Sequence, residues 1–259
     1  MIQGRSQLRR QIPSPRFRPK FQSTSWLAGG SGNGLIAPGS GRCPTPTQEH
    51  DPLLIDQSIM AIVGLMARPR EFDRDEALER ATGVFWAKGY APTSTDDLLT
   101  AMGIGRQSLY NAFQDKRALY LEALERYQQT TTAGHLKRLN GTASPIAGIT
   151  ALLLGLISDN DDTRALGCMG VGAICEFGST DPDITALRSK VSPALHSRLV
   201  ERLKEGQAAG EVDRSLNCAT AASFVQMTMQ SIQLAARGGI DATSLRAQAR
   251  FAVERLKSR

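Results

Sequence analysis

Cysteine is scarce in this chain: four in 259 residues, Cys43, Cys168, Cys175 and Cys218, without a CxxC pair. Such usage excludes a disulfide framework and a structural zinc site, and it fits a reducing compartment. The three histidines have no HxxxH or HExxH companion, so no metal site is expected. Walker, GxGxxG and GxSxG motifs are all missing, and no nucleophile with a base stands out. Neither catalytic residues nor a cofactor are therefore expected, and the chain does not read as an enzyme. Long apolar runs are missing too. The uncharged run from Cys218 to Ala236 is long enough for a membrane span, but three Gln and four Ser or Thr leave only 12 of its 19 residues apolar, poor for lipid.

Acidic residues are missing before Glu49. Residues 1–65 hold 8 Gly, 7 Pro and seven Lys or Arg, against 16 Gly and 5 Pro in the 194 residues that follow. Such a stretch cannot carry a regular core and reads as a disordered tail. No apolar h-region follows its basic start, which argues against secretion. The acid-free, Arg-rich opening resembles a mitochondrial or chloroplast transit peptide, while Met66-Ala-Arg-Pro-Arg reads as a natural start that would make residues 1–65 an upstream extension. A cytoplasmic, nucleoid-associated protein is the expectation. The formal charge of +6 divides into +4 for residues 1–65, −1 for 66–127 and +3 for 128–259. A basic balance invites polyanions, but net charge says nothing about fold, so the placement of the cations matters more.

From Asp73 the chain becomes helical. Ala77, Leu78, Ala81, Val84 and Phe85 share an arc of about 120°, the stripe of a surface helix, and Gly89 ends it. Ser94, three residues before Asp97, forms an approximate capping box that opens a short helix to Met102. Gly103-Ile104 is a tight turn. In the segment Arg106 to Phe113, the side chains of Arg106, Gln107, Tyr110 and Asn111 fall within about 140° of arc, opposite Ser108, Leu109, Ala112 and Phe113. One face is apolar and small; the other carries side chains able to read base edges or hold phosphates. A short helix, a glycine turn and a second helix of this kind make a helix-turn-helix.

The run TSTDDLLTAMGIGRQSLYNAFQDKRAL, residues 93 to 119, with Phe85, Gly89 and Tyr90 before it, resembles the signature of the TetR family of bacterial transcriptional regulators. The resemblance implies an all-α chain of about nine helices, with a three-helix helix-turn-helix DNA-binding domain over 66–127 and a helical effector-binding and dimerisation domain over 128–259. It implies that Thr93 and Ser94 hold phosphates, that Tyr110 and Lys116 clamp the backbone on the other side, and that Arg106 and Gln107 read bases, with Asn111 suited to either task. Ser108 is counted with these DNA-binding residues. Arg68 and Arg70 would form an arm on phosphate or in the minor groove. Two positions depart from the pattern. Gly105 stands where the family usually has Ser, and Ala112 replaces a frequent aromatic, leaving less packing under Phe113.

Beyond Lys116 the chain reads as further helices. One runs through Leu119 and Leu124 toward Leu139, and Pro145 opens the next, with Ile146, Ile149, Leu152, Leu153 and Leu156 as its stripe. After a loop at Asp159 to Thr163, Arg164 to Phe177 reads as one apolar helix, and Asp181-Pro182 opens a long helix that Pro193 is expected to bend. The family resemblance implies an inducer pocket among the middle helices, for which Leu152, Leu156, Cys168, Met169 and Phe177 are the candidates. It also implies pairing of the last two helices across a two-fold axis. Phe224, Val225, Met229 and Ile232 with Leu245, Ala249, Val253 and Leu256 are the expected interface, and a single intramolecular core is the alternative. A homodimer of this kind would read a pseudo-palindromic DNA operator and be released by a small-molecule inducer, acting as a repressor. Cys168 and Cys175, seven residues apart on the expected helix, lie about 10.5 Å apart, too far for a disulfide. A buried structural role and a thiol redox or electrophile sensor, with Arg164 beside Cys168, both stay open. So does a helical interaction protein with a vestigial reading head.

Overall fold

The computed structural model describes residues 72–258, all within one compact unit, Ala61–Arg259. The readings of residues 1–65 and of Arg68 and Arg70 lie outside the described residues. Among those residues there are ten helical segments and no strand; Val212 and Lys257 form only an isolated bridge. The helices are α1 (Arg74–Lys88), α2 (Thr95–Met102), α3 (Arg106–Phe113), α4 (Lys116–Asn140), α5 (Pro145–Leu154), α6 (Asp161–Ala165), α7 (Met169–Phe177), α8 (Pro182–Ala208), α9 (Cys218–Arg237) and α10 (Ala242–Glu254).

Side-chain caps fix most of these starts. Asp73, Ser94, Asp115, Ser144, Asn160, Asp181, Asn217 and Asp241 each accept a first-turn amide. Each such cap contributes about 1 kcal/mol. Only α3, opened by Gly105, and α7, opened by Cys168, have no side-chain cap. Pro193 lies inside α8, which continues from Pro182 to Ala208.

Two buried clusters organise the unit. One joins Phe85, Leu98, Leu109, Phe113 and Tyr120 of α1 to α4 with Met169 and Ala173 of α7 and Ile184 of α8. The other joins Leu139 of α4 with α5, α8, α9 and α10 through residues such as Ile149, Leu199, Val225 and Leu245. The long α4 therefore belongs to both. It crosses α5 at Gly148, where a Cβ would collide with the Leu139 carbonyl oxygen.

The expected single helix from Arg164 to Phe177 is instead two, α6 and α7, broken at Leu166 to Cys168. Gly167 adopts φ +61°, and a Cβ there would stand 2.8 Å from the Gln233 carbonyl oxygen and 3.1 Å from the Arg237 Cβ. The chain turns at this glycine because α9 passes so close. Cys168 is thus an N-cap and not a helical residue seven places before Cys175 on one face. Arg164 spends its guanidinium on the Ser158 carbonyl and on Asp161.

Candidate nucleic-acid interface

The helix-turn-helix is built from α2, the turn at Gly103 and α3. Ser94 and Asp97 form a reciprocal capping box: the Ser94 hydroxyl accepts from the Asp97 amide at 3.0 Å, and the Asp97 carboxylate accepts from the Ser94 amide at 2.9 Å. Lys88 adds a 2.6 Å ion pair to that carboxylate. The Lys88 ammonium, with the Ser94 amide and hydroxyl, holds the Asp97 carboxyl down at about 2. Gly103 ends α2 at φ +68°, a left-handed conformation that glycine adopts without strain.

Beneath α3, Leu109 and Phe113 are buried. Arg74 lies against this end of α3: its guanidinium is 4.5 Å from the Phe113 ring centroid, donates to the Ala112 carbonyl and pairs with Glu122 at 2.6 Å. Arg74 was not among the expected site residues. Its signal in the sequence, a lone Arg just after the Asp73 cap, does not reveal a partner 38 residues away.

On the outer side, Arg106, Gln107, Tyr110 and Asn111 are all exposed. Gln107 donates from Nε2 to Asn111 Oδ1 at 2.9 Å, and Arg106 Nη2 lies 2.8 Å from Asp96 Oδ1. Ser108 is half-buried at the edge of this face. Lys116, at the start of α4, extends over the Tyr90 ring with its Nζ 4.3 Å from the centroid. Thr93 requires a correction: its side chain is 1% exposed and its hydroxyl donates to the Gly89 carbonyl at 2.6 Å, so it points inward and does not present an oxygen to a phosphate. The Ser94 hydroxyl is exposed but already committed to the α2 cap.

The expected pairing surface also needs correction. Val225, Met229, Ile232, Leu245, Ala249, Val253 and Leu256 are buried inside the chain itself, in the core that α9 and α10 share with α5 and α8. Only Phe224 faces outward, at 37% exposure, and it is joined by Met227 at 59%, Leu234 at 54% and Phe251 of α10 at 59%. Phe224, Met227, Ser231 and Leu234 recur at intervals of three and four, one face of α9. The stripe on α9 is wide enough to serve two sides, and only packing shows which residues the chain's own core takes.

The five expected pocket residues do not gather. Leu152 is fully buried in the core, Leu156 lies past the end of α5 against that core, and Phe177 joins an aromatic cluster with Tyr90 and Tyr120. Cys168 and Met169 do line a cavity of about 300 Å³ between α1, α4, α7 and α9, whose wall also includes Trp86, Glu176 and Arg237. Within the described residues no group of side chains is arranged to hold a metal, and no helix is long and apolar enough to cross a membrane.

Residues 77–123 match the family described as "Bacterial regulatory proteins, tetR family". Over 177 residues the chain is 30% identical to the "HTH-type transcriptional repressor ComR" of Escherichia coli (strain K12), covering 66% of this chain and 83% of that protein. It is 32% identical over 149 residues to the "Uncharacterized HTH-type transcriptional regulator YezE" of Bacillus subtilis (strain 168), covering 57% of this chain and 77% of that protein. A cysteine mutant of the TetR-family transcriptional regulator CifR, solved with a 26 bp operator DNA, superposes with a TM-score of 0.59 at 29% identity, covering 73% of this chain and all of that one. The helix-turn-helix on a helical body, the match at residues 77–123 and these relatives lead to one conclusion: the chain belongs to the TetR family of bacterial regulatory proteins.

Proposed function

We propose that this protein is a cytoplasmic repressor that binds a pseudo-palindromic operator as a homodimer and releases it when a small molecule binds. The observation that carries the reading is the exposed polar face of α3, presented by the second helix of a helix-turn-helix. Arg106 and Gln107 act as base readers, since Arg pairs bidentately with guanine and Gln with adenine. Tyr110, Asn111 and Lys116 hold phosphate and orient the helix. The reading head spans residues 66–127 and the body 128–259. The CifR relative solved on operator DNA supports the DNA partner.

The outward Phe224, Met227 and Leu234 of α9, with the exposed Phe251 of α10, support the homodimer, because exposed large apolar side chains gain by burial against a copy of the same surface. Two reading heads about one DNA turn apart then match a two-fold operator. The cavity lined by Cys168 and Met169 is the effector site in this reading. Release requires the effector to bind the DNA-incompetent arrangement more tightly than the competent one.

A second reading is favoured by one observation: Cys168 and Cys175 line the same cavity, and Cys175 is exposed beside Glu176. An electrophile that alkylates Cys175 would then be the effector.

Selection of duplexes from a random pool by the purified protein, with its solution mass measured in parallel, tests the proposal. The expected result is one enriched motif with two-fold symmetry, bound by a dimer. Binding in moderate salt without preference over random duplex overturns it.

A further inference from the structure

The junction after α1 is gripped from the body by two charged side chains. Arg237, in the last turn of α9, donates to the carbonyls of Trp86 at 3.2 Å, Ala87 at 3.3 Å and Leu166 at 2.9 Å. Trp86 and Ala87 lie in the last turn of α1, whose carbonyls have no partner within their own helix. Arg237 therefore caps α1 from a different helix, with its positive charge at the negative end of the α1 dipole. A few residues on, the Glu176 carboxylate of α7 accepts from the amides of Tyr90 at 2.9 Å and Ala91 at 2.5 Å.

The backbone is shaped for these approaches. Gly89, between the two grips, has φ +87°, and a Cβ there would stand 3.2 Å from Glu176 Oε2. Gly167 lets its loop lie against α9, and its carbonyl accepts from Trp86 Nε1 at 3.1 Å. Neither Arg237 nor Glu176 has an oppositely charged side chain within salt-bridge distance among the described residues; each spends its charge on backbone. Both exposed side chains also line the open cavity of about 300 Å³.

We propose that Arg237 and Glu176 are positioning residues for operator recognition: together they set the angle of α1, and through it of α3, against α9. This rests on the two-headed reading above. Leu234 on the outward apolar face and Arg237 on the clamp are three residues apart on one helix. The pairing surface and the grip on the reading head are therefore joined by a single helical turn, which moves as one piece. Loosening the grip leaves the head folded, since Phe85, Leu98, Leu109 and Phe113 stay buried together with Met169, Ala173 and Ile184, but widens the range of angles it takes about that shared core. Two heads held less tightly have a less sharply fixed separation, so the protein's preference for one half-site spacing weakens while each head keeps its phosphate contacts.

The test uses the full chain and the duplex that the parent protein selects from a random pool, with variants of that duplex whose half-sites are moved one base pair apart or together. Arg237→Gln and Glu176→Ala are each expected to lower affinity for the selected duplex about tenfold, a typical coupling between linked elements. Their discrimination among the three spacings is expected to shrink, with unchanged affinity for random duplex and unchanged solution mass. Arg237→Lys, which keeps the charge but not the planar fork, is expected to recover part of the discrimination. Amide exchange at Tyr90 and Ala91 is expected to quicken in Glu176→Ala while that at Leu109 does not, which separates a freed head from an unfolded one. Parental affinity and spacing discrimination in both variants overturn the clamp. A parent that prefers no duplex at all overturns the two-headed reading, and this inference with it.

Discussion

Arg106 of the recognition helix reaches back to Asp96 of the preceding helix, with Nη2 2.8 Å from Oδ1 and both side chains exposed. An exposed pair of this kind is worth about 0–1 kcal/mol, so duplex DNA displaces it readily. Asp96 nevertheless adds a negative charge beside the guanidinium proposed to read the base. Asp96→Asn is expected to tighten duplex binding a few-fold, more at low salt than at high, as screening of a surface charge requires. Titrations of the selected duplex at two ionic strengths check this.

Base reading and phosphate holding separate by variant. Arg106→Ala is expected to cost about 1–3 kcal/mol on the selected duplex and to relax preference at one base position. Lys116→Ala is expected to weaken binding to all duplexes alike and to reduce the salt slope by about one unit. Affinities measured over a salt series, on selected and random duplexes, distinguish the two.

The two sides of α9 are expected to fail differently. Phe224→Glu with Met227→Glu places charge on the outward face and is expected to give a monomer with helicity intact, read by light scattering and circular dichroism. Ile232→Ala, on the inward face, is expected to lose about 2–5 kcal/mol by cavity formation, seen as a lower midpoint in denaturant.

His135 supplies a pH dependence. Burial, with the Arg138 guanidinium nearby, lowers its pKa to about 4, below its ordinary 6.5. Between those values the unfolded chain binds a proton that the folded chain does not, so stability is full above about pH 6.5 and falls as pH drops toward about 4. His135→Gln is expected to flatten that slope in urea titrations run between these pH values. An unchanged slope excludes His135 as its source.

Reactivity of the thiols follows their placement. Cys175 is exposed and Cys168 half-buried, and burial with a neighbouring Cys168 thiol pushes the Tyr127 hydroxyl pKa upward. Cys175 is expected to react with iodoacetamide before Cys168 and Cys218, and mass spectrometry of peptides from a time course reads the order. If alkylated protein binds the selected duplex as tightly as untreated protein, electrophile release through Cys175 is excluded.

The sequence by itself determined the helical class and most helix starts, because caps such as Ser94 and Asp181 and breaks such as Gly89 act over three or four residues. It determined the polar face of α3 for the same reason: Arg106, Gln107, Tyr110 and Asn111 share a side through helical geometry alone. Only the tertiary structure decided which side of α9 the core consumes, since a wide apolar arc does not say where α5 and α8 will pack. It alone showed Thr93 turned inward, buried and bonded to the Gly89 carbonyl four residues back, and it alone split Arg164 to Phe177 at Gly167, where α9 passes close. The grip of Arg237 on α1 spans about 150 residues, and no local rule of propensity or periodicity reaches that far.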